Sequence, residues 1–524
     1  MPSKKGEEGL LAKVATCALI GVEGHYVLVE TDVAGGLPNF NLVGLAATSV
    51  KEARERVRAA IKNSGFDFPA RRITVNLAPA DLRKDSTAFD LAIAAGILAA
   101  TGQIPTEALE GKVFIGELSL DGKIRDVPGT MALAASLKKW REDGENRLYE
   151  LILPRGNALE ASLVGDLSVK GIADLREMAA YLTGEVSIGE VKVDVEKVLQ
   201  GEEEQEQPDF KDVKGQFAAK RALEIGAAGG HNLILTGPPG TGKTMLARRI
   251  PSILPSMTLE ECLEVTKIHS IAGLLKENKP LVIKRPFRTP HHSATPAGIL
   301  GGGRVPQPGE VSLAHRGVLF LDEFPEYSRE VLESLRQPLE DGEVVITRVE
   351  MAVRYPARFM LVASRNPCYC GFYMHPRRAC TCSEAQIRRY RLKSSGPLMD
   401  RIDLHVEVPS LLYHELEEEK EGESSASIRK RVEQARSIQR ERFKDAGIGS
   451  NAAMSPRQLR KYCPLDSESR RLLRRVFDSF ALSIRAHDRI IKVARTIADL
   501  EGANKINAAH IAEAIQYRSL DRQF

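Results

Sequence analysis

The sequence predicts an α/β protein whose central parallel sheet is preceded by an α+β domain and followed by a helical one. Three observations carry this expectation. A short apolar strand (residues 232–236) runs through the glycine-rich octet GPPGTGKT into a helix. A second apolar strand, GVLFLDEF (317–324), ends in paired carboxylates. A third, 359–364, delivers Asn366 to the same edge. Strand–turn–helix units in this order build a parallel sheet that binds ligands at its carboxyl ends.

Taken in chain order, residues 1–187 alternate β-like runs (26–32, 72–77, 148–153) with helical ones (49–63, 89–101), and read as an α+β domain. Residues 188–208 turn acidic and polar, ending GEEEQEQP, and read as a solvated linker. The sheet-bearing domain spans 209–408. In 409–524 strand signals fade and helices are expected near 427–443, 467–479, 485–500 and 508–518, with Gly502 capping the third. Three units suit a chain of 524 residues, which is too long for one core. No apolar run is long enough to span a bilayer, and MPSKKGEEGL lacks the apolar centre of a signal peptide; a cytoplasmic protein with no membrane partner is expected. The net charge of +4 is nearly balanced, so a nucleic-acid footprint must come from local clustering.

The octet comprises Gly237, Pro238, Pro239, Gly240, Thr241, Gly242, Lys243 and Thr244. Its glycines let backbone N–H groups face phosphates, and the helix that follows adds its positive end. Lys243 can reach the β- and γ-phosphates of ATP, and the Thr244 hydroxyl can ligate Mg2+. In this scheme Asp322 supports the metal, Glu323 is the general base on the attacking water, and Asn366 holds that water or the γ-phosphate. A glycine-rich turn and a solvent-facing acidic pair are the plainer alternatives.

Four of the seven cysteines lie close together: Cys368, Cys370, Cys380 and Cys382. Two C-x-C pairs across a turn can close on a structural Zn2+ through four thiolates, which leaves no open position for catalysis. Reduced thiols or a redox pair are the rival readings. His375 is a spare candidate ligand. The pair His291–His292 lacks a third ligand at matching spacing.

Several stretches together resemble the YifB/ComM family of magnesium-chelatase-like AAA+ ATPases over essentially the whole chain: DFKDVKGQ (209–216), GPPGTGKT, FRTPHHSATPAGILGGG (287–303), GVLFLDEF, YPARFMLVASRNPCYCG (355–371), SGPLMDRIDLHVEVP (395–409) and RIIKVARTIADLEG (489–502). The resemblance implies an AAA+ core with a helical lid, Gln216 beside the adenine, and Asn366 as sensor 1. It also implies Arg401 as an arginine finger and Arg485 as the sensor 2 arginine. A finger serving the neighbour's ATP implies a ring of identical subunits, a hexamer in the simplest case. Salt bridges from Arg401 to Asp400 or Asp403, and a surface role for Arg485, are the alternatives. One departure is Arg365, where an apolar residue is expected.

The first domain resembles the ribosomal-S5-like fold of the Lon protease domain through residues 78–91 and 116–134. Ser86 or Thr87 is the nearest hydroxyl to the serine motif, but the position matching the lysine base is Met131, and neither Lys84 nor Lys123 falls on the motif. Ring organisation or partner binding is therefore expected rather than proteolysis. Residues 343–355 alternate like a hairpin, which the resemblance places at a ring pore with the 287–315 insert. There Arg348 and Arg304 could touch DNA phosphates; ordinary surface charge is the alternative, as it is for the basic helix 429–442. The function expected is an ATP-driven ring acting on single-stranded or branched DNA as a helicase or branch-migration motor. The rivals are a chelatase-like motor for a protein or metal-insertion partner, a Lon-like protease and an ATP-switched scaffold. Against the chelatase, the first domain and the cysteine cluster are expected to lie outside the usual chelatase ATPase subunit.

Overall fold

Apolar residues recurring through LAKVATCALI bury most of the first strand, β1 (Leu11–Ile20), in a mixed sheet. The computed structural model describes residues 11–44, 48–80, 86–142, 150–200, 208–276, 279–348, 351–373, 375, 377–393, 398–411, 422–480 and 482–518. β1 pairs antiparallel with β2 (Glu23–Ala34), and β3 (Asn39–Val43), α1 (Thr48–Asn63) and β4 (Arg72–Ala78) follow. Next come α2 (Asp90–Ala100), β5 (Lys112–Phe114), α3 (Thr130–Glu142), β6 (Glu150–Pro154), β7 (Ser168–Ile172) and α4 (Leu175–Leu182). The sheet order is β3-β4-β2-β1-β5-β6-β7, antiparallel at β1–β2 and β2–β4 and parallel elsewhere.

α2, DLAIAAGILAA, is apolar almost all round and buried all round. Its approach to the sheet requires Gly96, where a Cβ would lie 2.5 Å from Thr31 Oγ1. Its one charge, Asp90, pairs with Arg56 of α1 at 2.8 Å. Burial raises Asp90 to about 6, against the opposing pull of Arg56.

Of the solvated linker expected over 188–208, residues 191–198 make contacts with the protein, and 201–207 lie outside the described residues. The Val191 N–H bonds the carbonyl of Val169, Val195–Gln200 is helical, and Val193, Val195 and Val198 pack against Met257, Cys262 and Val265. Alternating valines within a polar run have burial to offer that its average charge conceals.

The core opens with α5 (Phe217–Gly229), β8 (Leu233–Thr236), α6 (Lys243–Ile253) and α7 (Leu259–Ile271). It continues with β9 (Phe287–Arg288), β10 (Val318–Leu321), an antiparallel hairpin of β11 (Glu343–Arg348) and β12 (Met351–Pro356), β13 (Met360–Arg365), α8 (Glu384–Lys393) and β14 (Leu404–Glu407). The sheet order β9-β10-β13-β8-β14 is parallel throughout. β8, β10 and β13 are buried on both faces, as their unbroken apolar runs require.

The N-terminal domain is fastened to this core through α7. The Gly129 N–H bonds the Ser270 carbonyl at 3.1 Å. The buried Glu160 carboxylate accepts from both the Met131 N–H and the Ser270 hydroxyl. The helical domain contains α9 (Ser425–Arg442), α10 (Ser467–Phe480), α11 (Ile484–Leu500) and α12 (Ala508–Gln516), with a short helix at Pro456–Tyr462 and Gly502 left-handed just past α11. α11 is tied to the sheet by a buried polar cluster: His231 bridges Asp403 at 3.2 Å and Thr496 at 2.8 Å. Burial would raise Asp403, yet Arg489 and His231 hold it below the usual carboxylate range. No helix among the described residues is long and apolar enough to cross a membrane.

Candidate nucleotide-binding site

Three buried strands bring the predicted polar residues to one edge. Gly237 follows β8 directly, and a Cβ there would lie 2.2 Å from the Val408 carbonyl, so the turn needs glycine. Gly240 and Gly242 are left-handed (φ +78° and +86°), and α6 begins at Lys243. The Lys243 ammonium donates to the carbonyls of Gly237 (2.7 Å) and Pro238 (2.8 Å) and to Asn366 Oδ1 (3.2 Å). One cation thereby spans from the loop to the third strand. Burial lowers Lys243 to about 8, against the attraction of Asp322 and Glu323.

The Thr244 hydroxyl donates to Asp322 Oδ2 at 2.8 Å, and the Ser364 hydroxyl donates to Asp322 Oδ1. A hydroxyl and one carboxylate suit magnesium, which keeps several waters and substrate oxygens as its other ligands. Glu323 has φ +52°, an uncommon conformation for a residue with a side chain, and its N–H bonds Ser364 Oγ at 3.3 Å. That twist leaves the Glu323 carboxylate exposed, with His292 Nδ1 3.7 Å away. The loop carrying His292 is held by the Tyr327 hydroxyl on the Pro290 carbonyl (2.5 Å) and by a two-pronged Arg288–Glu310 pair. His292, which the sequence suggests only as a metal ligand, and Ser364, one residue of an apolar strand, both join this edge. The position of His292 just beyond strand β9 was the available signal.

Gln216 is left-handed (φ +54°) and donates to the Pro409 carbonyl at 2.8 Å. Its Oε1 is buried with no hydrogen-bond partner among the described residues. A buried acceptor of this kind suits an exocyclic amine such as that of adenine. Arg365 turns inward and donates to Thr236 Oγ1 at 3.0 Å, so this departure from an apolar residue braces β8 against β13.

Arg401 and Arg485 meet on one carboxylate. Arg401, nearly buried, pairs with Glu340, and Arg485 lies 4.0 Å from the same group. Asp403, a suggested partner of Arg401, is bound by Arg489 instead.

The four cysteine sulfurs lie within 4.8 Å of one another, with Cys368–Cys370 at 3.4 Å, Cys370–Cys380 at 3.5 Å and Cys368–Cys380 at 3.7 Å. Four thiolates about 2.3 Å from a tetrahedral zinc stand about 3.8 Å apart, so the set fits a structural zinc. His375 is not needed: its Nδ1 accepts from the N–H groups of Arg377 and Arg378, and its Nε2 meets Ser410 Oγ at 3.0 Å. Among the described residues the cysteines are the only group of three or more His, Cys, Asp and Glu side chains close enough to share an ion. The knuckle touches the phosphate loop. Gly371 is left-handed (φ +81°), and a Cβ on it would lie 2.6 Å from Pro239 Cδ.

Of the predicted DNA contacts, Arg304 is exposed at the wall of a cleft between the N-terminal domain and the core, near Ser86, Leu19 and Val353. Arg348 ends β11 opposite Met351; its side chain and the hairpin tip, 349–350, lie outside the described residues. In the first domain the Ser86 hydroxyl accepts from the Ala88 N–H, Thr87 donates to Glu117, and Met131 is buried. Lys123 is exposed beside Asp121, and Lys84 lies outside the described residues.

Family models described as magnesium chelatase subunit ChlI match residues 209–416, as subunit ChlI of Mg-chelatase residues 29–157, and as the ChlI C-terminal region residues 422–518. The chain is 44% identical over 524 residues to the uncharacterized protein YifB of Salmonella typhimurium, covering 98% of each. It is also 44% identical over 516 residues to the competence protein ComM of Haemophilus influenzae, again covering 98% of each. The chain belongs to the YifB/ComM family. It carries a ChlI-type AAA ATPase domain, with a mixed-sheet domain before it and helices after it. The magnesium-chelatase 38 kDa subunit of Cereibacter sphaeroides aligns at 26% identity with only 38% of the YifB/ComM chain. The match at 29–157 corrects one expectation: the N-terminal domain is itself chelatase-like and does not count against a chelatase kinship.

Proposed function

We propose that the protein hydrolyses ATP as a subunit of a ring, a hexamer in the simplest case, and uses the cycle to move on or remodel single-stranded or branched DNA. The observation that carries the ATPase half is the convergence of Thr244 on Asp322, of Lys243 on Asn366, and of an outward-turned Glu323 along one sheet edge. Bound Mg2+ would draw charge from the phosphates. The chain's own residues do the rest: the octet's N–H groups and Lys243 orient the β- and γ-phosphates, Glu323 takes a proton from water, and Asn366 fixes that water's position. Arg401 and Arg485 share Glu340; in the ring reading Arg401 serves a neighbour's phosphates as the finger and Arg485 acts as the sensor 2 arginine of the helical lid. The ribosomal-S5-like N-terminal domain, fastened to α7, organises the ring and does not cleave peptides.

DNA as substrate is supported by the β11–β12 hairpin with Arg348, by Arg304 on the insert, and loosely by the name of the competence relative. A chelatase-like motor acting on a protein or metal-insertion partner is favoured by the matches to ChlI models along the chain. ATPase turnover with and without forked or single-stranded DNA, across a salt series, separates the two. Stimulation that fades with salt and drops in Arg348→Ala is expected, while Lys243→Ala abolishes turnover. Brisk turnover indifferent to DNA would sink the DNA assignment.

A further inference from the structure

The cysteine knuckle and α8 carry an excess of positive charge. Between Cys368 and Lys393 there are six basic residues, Arg377, Arg378, Arg388, Arg389, Arg391 and Lys393, against one acid, Glu384. All but Arg391 are exposed. Aromatic rings lie among them. Arg378 sits 4.2 Å from the centre of Phe372, Arg391 4.8 Å from Tyr373, and Lys393 5.4 Å from Tyr369. Tyr369 is 46% exposed, although it also leans edge-on against Tyr390.

α9, another basic helix, is different. Arg431 is bound by Glu224 and Glu423, Arg442 by Asp499, and Arg429 by Glu433. On the knuckle, Lys393 lies 3.6 Å from Glu326, but among the described residues no carboxylate pairs with Arg377, Arg388 or Arg389. Unneutralised arginines beside aromatic faces suit a chain that alternates phosphates with planar bases; an acidic peptide would use the charges and leave the rings idle.

We propose that the knuckle and α8 form a binding surface for single-stranded nucleic acid, distinct from the β11–β12 hairpin. Phosphates lie along Arg377, Arg388 and Arg389, and a base stacks on Tyr369. The proposal rests on the reading of DNA as the substrate and adds to it a route to the ATP site. The knuckle begins two residues after Asn366, and its Gly371 packs on Pro239, so a strand held there bears on both γ-phosphate sensor and loop.

The test is fluorescence anisotropy of a labelled oligo(dT) with the full chain, across a salt series, for wild type, Arg348→Ala, Arg388→Glu/Arg389→Glu and Tyr369→Ala. Melting temperature and zinc content check that each variant is folded. The double reversal is expected to weaken binding at least about tenfold and to flatten the log–log salt slope by about 1.4, the equivalent of two single-strand phosphates. Tyr369→Ala is expected to weaken binding about fivefold or more with the slope unchanged. Arg388→Lys/Arg389→Lys should restore the slope. A folded double reversal that binds within twofold of wild type overturns the proposal. So does one whose defect is loss of assembly by light scattering, since the patch would then be a subunit contact. Wild-type protein that binds no oligo(dT) and is not stimulated by DNA overturns the underlying reading, a result visible before any variant is made.

Discussion

Replacing Gly371 with alanine should weaken ATP binding from outside the phosphate loop. The new Cβ would lie 2.6 Å from Pro239 Cδ and 3.2 Å from Cγ, whereas ordinary contact begins at 3.4 Å. Knuckle or loop must give by about 0.8 Å, and Pro239 cannot relieve the contact as a long flexible side chain would. A shift of that size stretches loop N–H contacts to phosphate from about 2.9 Å toward 3.5 Å or more, beyond useful hydrogen bonding. Losing one charge-assisted bond costs about 1.5–3 kcal/mol, or roughly tenfold to a hundredfold in Kd. The left-handed backbone (φ +81°) adds about 1 kcal/mol against folding, so a control is needed. Gly447→Ala supplies it: φ there is +66° and nothing lies within 4 Å. Titration with a fluorescent ATP analogue should show the loss in Gly371→Ala and wild-type affinity in Gly447→Ala. Gly371→Ala binding within twofold of wild type would refute the idea that the knuckle presses on the loop.

Other consequences can be checked directly. His292→Ala should lower kcat about threefold to tenfold with ATP affinity unchanged if the imidazole 3.7 Å from Glu323 orients the proposed base; a change confined to KM would contradict that role. The chain should carry about one zinc by metal analysis, and Cys370→Ser with Cys382→Ser should lose it; unchanged metal content would place the ion elsewhere. His315 and Arg316 depress Glu264 to about 2. With its folded pKa below the unfolded one, its stabilisation is present above about pH 4.5 and is lost as pH falls toward 2. Half-exposed, it is worth only about 1 kcal/mol after solvent screening. The melting-temperature gap between wild type and Glu264→Gln should therefore narrow below pH 4.5, and a constant gap would rule the ionic account out. Glu340→Gln should loosen Arg401 and Arg485 together, changing assembly or ATPase cooperativity; wild-type behaviour in both would mean that the shared carboxylate has no part in the ring.

What was legible in the sequence was whatever is local. An apolar strand, a glycine octet and a helix occur consecutively, and glycine at 240 and 242 permits the positive φ angles found there. The β11–β12 hairpin shows as alternation and the lid helices as periodicity. Links through space left no such trace. Ser364 reads as one more residue of a buried strand, although it holds Asp322 and the Glu323 backbone. The valines of residues 191–198 were hidden by the charges between them, and Glu340 is an ordinary helical acid until Arg401 and Arg485 converge on it. The hidden links share a direction. His292 ties the insert to Glu323, the proposed base, Gly371 ties the knuckle to the loop, and Glu340 stands three residues before the hairpin begins at Glu343. Each joins a residue at the nucleotide edge, or an arginine assigned to a neighbour's phosphates, to a segment that could contact a polymer. A motor needs contacts of that kind, because hydrolysis does work only if the residues that sense phosphate also move the residues that grip the substrate.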